Sequence, residues 1–331
     1  MRNLLKFLPL LPLALMALIP TVRVSAREPF RIGVLFWHES PNDERAFLGV
    51  QSGFALAGLK TKIERFDAAE DAEKARSALR DWRDRSFDLV YAMGTSATIR
   101  ARETLTKLPV VFTAVTNPVG SGVVPSWDGS ESNLCGNSNW ISTPKVLKVF
   151  RSAVPDLARL GVILNRDNPV SIEEVAEAKR YFQKNPEKRL ALYEEYLRGP
   201  EGLEAAVRKV LERGAQAVWI PIDYDVYRNI DRVAAITAPV GIPLVTSQAS
   251  AVKNGAVVGV AVDYHALGER SVILAEKVLR GGVAPGTLPV GRMHSFRVIV
   301  NLKAARRAKF EIPLTLLATA DEILDPGRAE R

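Results

Sequence analysis

The sequence of 331 residues holds a single cysteine, Cys135, and only three histidines, His38, His265 and His294. One thiol excludes an intrachain disulfide framework and a cysteine-built metal cluster. The histidines show neither H-x-x-x-H nor H-E-x-x-H spacing, which removes the common zinc-hydrolase patterns. No G-x-G-x-x-G follows the first apolar stretch, where Trp37-His38-Glu39-Ser40 stands instead. A G-x-x-x-x-G-K-[ST] phosphate loop and a G-x-S-x-G elbow are missing as well. These absences speak against nucleotide-dependent and hydrolytic chemistry. A hydrolase would have to use His38 with Glu39, and no serine in a strained elbow accompanies them. The expectation is a protein that is not an enzyme, with no catalytic residue, no cofactor and no metal.

What is present begins with the leader. Arg2 and Lys6 are followed by an uncharged apolar stretch from Phe7 to Pro20, then by the small residues Val24-Ser25-Ala26. That order is a signal peptide cleaved after Ala26. The stretch is shorter than the roughly 20 residues that span a bilayer, so an uncleaved anchor is the weaker reading. No later segment is long and apolar enough to span. Cys135 lies far from the cleavage point and cannot carry a lipid there. The chain is expected free in the periplasm, stable through its core alone.

Removing the leader takes away Arg2, Lys6 and Arg23, leaving 42 basic against 37 acidic residues, a net charge of +5. The charges are interspersed. The cluster from Lys303 to Lys309 follows a helical pattern, so a solvated helix face explains it better than a nucleic-acid patch.

Short apolar runs alternate with amphipathic helical patterns along the chain. Strands are predicted at 31–36, 60–66, 89–93, 110–114, 160–164, 191–196, 217–221, 244–246 and 256–261. Helices are predicted at 44–57, 72–83, 96–105, 144–153, 171–184, 202–213, 225–236 and 266–280. This βαβα order implies α/β architecture, with parallel sheets covered by helices on both faces. The Gly-, Ser- and Asn-rich stretch from Val119 to Asn139 reads as the connection out of a first sheet, after which the alternation restarts. Two Rossmann-like lobes with a ligand cleft between them follow. The boundaries expected are 1–26 for the leader, 27–142 plus about 262–290 for lobe 1, and 143–261 plus about 291–331 for lobe 2.

Parallel sheets bind ligands beyond the carboxyl ends of their strands. The candidate site residues are therefore the polar or aromatic ones that follow apolar strands. Trp37 and His38 follow the first strand, Gly94, Thr95 and Ser96 the third, Thr116 and Asn117 the fourth. In the second lobe they are Asn165, Asn168 and Ser171, then Asp223 and Tyr224, then Ser247 and Gln248. Gly94-Thr95-Ser96 offers backbone N–H groups and hydroxyls at a positive helix end, suited to a carboxylate. It lacks the lysine of a triphosphate cradle, and its bland alternative is an N-cap. Trp37, and Trp140 near the lobe connection, either stack on a flat ligand or pack between lobes. Of Asp223 and Asp225, one is open to capping a helix and the other to accepting a ligand amine.

Several stretches together resemble the ABC-transporter substrate-binding proteins related to tryptophan- and tyrosine-binding lipoproteins. They are GTSAT, LPVVFTAVTNPVGSGVV, SNLCG, VPDLARLGVILNRDNPVS, VWIPID and, most specifically, the segment from Gly255 to Gly281. The ending FRVIVNLKAARRAKFEIP is similar too. The resemblance implies a type I periplasmic-binding-protein fold with a three-strand hinge. It also implies capture of a small amino-acid-like or aromatic carboxylate and delivery to a permease with a separate ATPase. The expected protein is a monomer with a small-molecule ligand and no nucleic-acid partner. By position, Gly94, Thr95 and Ser96 would meet the carboxylate, and Thr116-Asn117, the turn from Asn165 to Ser171, Asp223 and Ser247-Gln248 would close over it. The family often carries Asp at Asn117, an acid at Gln248 and Thr at Cys135. Losing the two carboxylates weakens the case for a standard α-amino group, for which Asp223 is the remaining candidate partner. A sensor subunit signalling to a receptor kinase is the alternative with the same fold.

Overall fold

The structure is a computed structural model that describes residues 29–197, 201–293 and 295–324; the expected leader lies outside them. The first half runs β1 (Phe30–Phe36), α1 (Pro41–Leu56), β2 (Thr61–Asp67), α2 (Ala72–Asp84), β3 (Leu89–Met93), α3 (Gly94–Thr104), β4 (Val110–Val115) and β5 (Leu134–Ser138). The second opens with α4 (Thr143–Ala153), β6 (Arg159–Asn165), α5 (Pro169–Lys184), β7 (Ala191–Leu197), α6 (Leu203–Glu212), β8 (Ala217–Ile220), α7 (Tyr224–Tyr227) and α8 (Ile230–Thr237). It closes with β9 (Leu244–Thr246), α9 (Ala249–Lys253), β10 (Val258–Ala261), α10 (Tyr264–Leu279), β11 (Arg297–Asn301), α11 (Leu302–Arg307), α12 (Leu314–Thr319) and β12 (Glu322–Leu324).

Two α/β lobes result. The first sheet has the order β2-β1-β3-β4-β5, and all its pairs are parallel. The second has the order β12-β11-β10-β9-β8-β6-β7, parallel except where β10 meets β11. β3 is buried along its whole length, and its residues divide between two cores. Leu89, Tyr91 and Met93 join Phe36, Phe47 and Phe54 on one face; Val90 and Ala92 join Leu79, Trp82 and Phe112 on the other. Such two-sided burial explains why the strands read as continuous apolar runs.

Three strands lie where no strand was expected on sequence: β5, β11 and the short β12. β5 falls inside the Gly- and Ser-rich connection. Its residues Leu-Cys-Gly-Asn-Ser have poor intrinsic strand preference, yet all five are buried against β4 and α10. Cys135 belongs to this strand and is 2% exposed, with its thiol pushed up to about 12 by burial. β11 pairs antiparallel with β10, so no βαβ rhythm announces it.

After β10 the chain leaves the second sheet, and α10 docks on α1 of the first lobe. That docking needs glycine. A Cβ at Gly268 would stand 1.8 Å from the Ala46 carbonyl oxygen, and one at Gly49 would stand 2.0 Å from that of His265. The two helices therefore touch backbone to backbone. Asn137 Nδ2 donates to the Leu267 carbonyl at 2.7 Å, fixing α10 to β5 as well. Gly291 then runs beside β5, its N–H bonding Gly136 and its carbonyl accepting from Ser138 N. The chain thus passes between the sheets three times: after β5, after β10 and before β11.

Candidate interlobe binding cleft

At the carboxyl edge of the first sheet, Gly94 takes φ +80°, a conformation open to glycine, and starts α3 directly. The residue before it, Met93, supplies no capping side chain, and the first turn holds no acid. Neither Thr95 nor Ser96 is the N-cap, which leaves the positive helix end without an internal acceptor. Trp37 is half-buried against the lobe core, and His38 is exposed. Ser40 caps α1, accepting from Asp43 N at 3.2 Å and donating to Asp43 Oδ2 at 2.6 Å. Burial raises the Asp43 carboxyl, against the lowering influence of Ser40 and His38.

β4 ends irregularly. Ala114 has φ +62°, and the register with β5 shifts between Phe112 and Val115. A left-handed alanine costs about 1 kcal/mol, and such backbone concentrates at functional sites. Beyond it, Thr116 accepts from Ser138 Oγ through its carbonyl, while Asn117 Oδ1 closes a turn by accepting from Gly120 N.

In the second lobe the predicted residues hold one another. Asn168 caps α5, accepting from Val170 N and Ser171 N. Asp223 is fully buried, and its Oδ2 accepts from Asn165 N at 2.7 Å and from Ser171 Oγ at 3.2 Å. Its Oδ1 accepts from Val226 N at 3.2 Å. Asp223, Ser171 and Asn168 therefore stitch the ends of β6 and β8 together. Of the two aspartates flanking Tyr224, Asp223 thus takes the capping role. Tyr224 opens α7, and its side chain lies outside the described residues.

Behind this edge sit two glutamates of α5. Glu174 is 1% exposed and accepts from Ile222 N at 2.9 Å. Burial pushes its carboxyl up to about 7, against hydrogen bonds from Ser247 and Ile222 N and with help from the Glu177 charge. Ser247 Oγ also accepts from Trp219 Nε1 at 3.1 Å. Glu177 Oε2 accepts from Trp140 Nε1, Thr143 N and Thr143 Oγ1, all within 3.0 Å. The Trp140 indole N–H is thereby held at the lobe connection.

Between the lobes lies an open cavity of about 420 Å³. Asn42, Arg45, Thr116, Asn139 and Tyr264 line it from one side, and Ile222, Ser247, Gln248, Lys253, Arg297 and Glu322 from the other. Of the predicted residues, Thr116, Ser247 and Gln248 meet here. Asn117 and Trp140 line a neighbouring hollow of about 450 Å³ with Trp127, Glu177 and Arg292. Trp37, His38, Gly94, Thr95 and Ser96 lie on the same sheet edge but outside the cavity wall. Arg45, Asn139, Tyr264, Lys253 and Arg297 went unnoticed in the sequence. Asn139 and Tyr264 sit at two of the three crossings, a signal available only once those crossings are known.

Among the described residues, two buried acceptors in this wall have no donor: Asn139 Oδ1 and Gln248 Oε1. The Asn139 amide nitrogen donates to Tyr264 Oη at 3.3 Å, which joins two crossings. Buried acceptors of this kind are rare unless a ligand or water completes them. No helix among the described residues is long and apolar enough to cross a membrane.

The family model for the ABC transporter substrate binding protein matches residues 31–324. The chain belongs to that family. It is 25% identical over 283 residues to the tyrosine-binding protein of Clostridioides difficile, covering 84% of this chain and 81% of that one. Among solved structures, a ligand-free, open substrate-binding protein with adhesive properties from Clostridium difficile superposes with a TM-score of 0.78 at 22% identity, covering 88% of this chain and 98% of that one. An ABC domain in complex with L-Trp from Streptococcus pneumonia gives a TM-score of 0.66 at 23% identity, covering 89% and 99%. These likenesses and the two parallel-dominated lobes identify the type I periplasmic-binding-protein fold. Members of the family are substrate-binding proteins.

Proposed function

We propose that this chain is the periplasmic solute-binding component of an ABC importer, capturing a small carboxylate-bearing ligand, amino-acid-like or aromatic, between its lobes. The observation that carries the reading is the cavity whose walls come from both lobes and hold acceptors lacking donors. A ligand touching both walls favours whichever arrangement brings them together, so binding shifts the lobes toward closure. The three crossings are the natural hinge, with residues 27–142 plus about 262–290 moving against 143–261 plus about 291–331. Thr116 acts from the first lobe, with the uncapped start of α3 on the same sheet edge joining it on closure; Ser247 and Gln248 answer from the second. Names of similar proteins, tyrosine-binding and L-Trp-bound, support an amino-acid-like ligand.

In this reading a leader cleaved after Ala26 delivers a free monomer to the periplasm, which hands its ligand to a permease with a separate ATPase. The decisive experiment is a thermal-shift screen of amino acids, organic acids and aromatic carboxylates on residues 27–331. A ligand at one hundred times its Kd raises stability by about 2.7 kcal/mol. A panel without one stabilising compound overturns the reading.

A further inference from the structure

The charge of the cleft speaks to its ligand. Four ionised side chains line the cavity: Arg45, Lys253, Arg297 and Glu322. Arg297 and Glu322 pair at 3.0 Å. Arg45 and Lys253, both exposed at the rim of the cavity, form no ion pair among the described residues, so three cations stand along a wall whose one carboxylate is already engaged, a balance of +2 among the lining side chains. The acids just behind the wall are hydrogen-bonded as well: Asp43 by Ser40 and Asp263 by Ala266 N. Asp223 is filled by Asn165, Ser171 and Val226, and Glu174 by Ile222 N and Ser247. Alongside the unpaired cations stand the two acceptors without donors, Gln248 Oε1 and Asn139 Oδ1, the latter on a side chain only 9% exposed.

We propose that this cleft selects small organic anions that carry a neutral hydroxyl or amide donor, such as 2-hydroxy acids or N-acylated acids, over zwitterionic amino acids. The inference rests on the solute-binding reading and narrows its ligand class. A carboxylate is drawn to Arg45 and Lys253. An ammonium is repelled by them, more strongly as closure excludes water. An ammonium also prefers a carboxylate partner, and the described wall offers only the one that Arg297 holds. A hydroxyl or amide N–H gives the orphaned amide oxygens their donor without bringing a positive charge. A ligand without any donor would leave them unpaired in a closed cleft, which is costly.

Calorimetric titration with compounds sharing one ring tests this: indole-3-lactate, tryptophan, indole-3-propionate and tryptamine, with 2-hydroxyisocaproate against leucine as the aliphatic pair. The hydroxy acid of each pair should bind at least tenfold more tightly than its amino acid. Indole-3-propionate should bind at least fivefold more weakly than indole-3-lactate, and tryptamine not measurably. The double substitution Arg45→Gln with Lys253→Gln should cost the hydroxy acid at least tenfold in affinity and leave the ligand-free melting temperature unchanged. Gln248→Glu should turn the preference toward the amino acid. An amino acid that binds as tightly as its hydroxy acid, or a double variant with undiminished affinity, overturns the inference while leaving the solute-binding reading in place. Titrations flat for these acids and for the wider screening panel overturn both.

Discussion

At the carboxyl edge of the first sheet, α3 starts at a left-handed Gly94 with no side chain capping it. At the same edge of the second sheet, α5 starts under Asn168, whose side chain accepts from two backbone N–H groups. Beside it Asp223 holds three further donors from β6, α5 and α7. Both edges are rich in Asn, Ser, Thr and Asp, so composition does not separate them. The difference lies in where the hydrogen-bonding capacity goes. In the second lobe much of it is spent on fixing loops; in the first lobe the helix end is left without a side-chain cap. A polar strand end becomes a binding element only when its own fold leaves it unsatisfied.

Breaking the stitched edge should have the largest effect. Asp223→Ala strands three buried donors and should destabilise the protein by about 3–5 kcal/mol, as measured by urea unfolding. Its effect on ligand affinity should be small wherever the variant is folded. A variant that keeps its stability and loses binding would instead place Asp223 in the site.

The buried Glu174 sharpens the comparison through pH. Its carboxyl is raised from 4.5 to about 7, so the folded state holds a proton that the unfolded chain has released across that range. Its contribution is therefore complete below about pH 4.5 and declines as pH rises through 7, by roughly 3 kcal/mol in all. Glu174→Gln keeps the shape without the titration, and urea midpoints at pH 5 and pH 8 should draw together. Midpoints that differ as much as in the parent would show that Glu174 does not carry the dependence.

The open edge should show the reverse pattern to Asp223. Thr95→Val with Ser96→Ala should weaken affinity for a carboxylate ligand by about 2 kcal/mol, roughly thirtyfold, through lost hydrogen bonds to a charged group. Melting temperature should hardly move, because neither side chain caps α3. Unchanged affinity by calorimetry would take this turn out of the site.

Much of the fold was legible because continuous apolar runs between amphipathic helices leave little freedom besides covered parallel sheets. β5 was not legible: Cys135, Gly136 and Asn137 form a strand because β4 and α10 bury them, not through their own preference. The site divides along the same line. Thr116, Ser247 and Gln248 were found from strand ends, whereas Asn139, Tyr264 and Arg45 belong to crossings and a helix that only the assembled lobes bring to the cavity.

What the sequence by itself determined is local: period, helix starts, the polar residues after each strand and the small residues where α1 meets α10. It also set the absence of the motifs that nucleotide or zinc chemistry would use. Only the tertiary structure decided which polar groups satisfy one another and which face a gap. A hydrogen bond such as Asp223 to Asn165, 58 positions away, exists only once the two strands pair in register. The same holds for the unpaired charges of Arg45 and Lys253, since a charge is uncompensated only with respect to the neighbours that folding gives it.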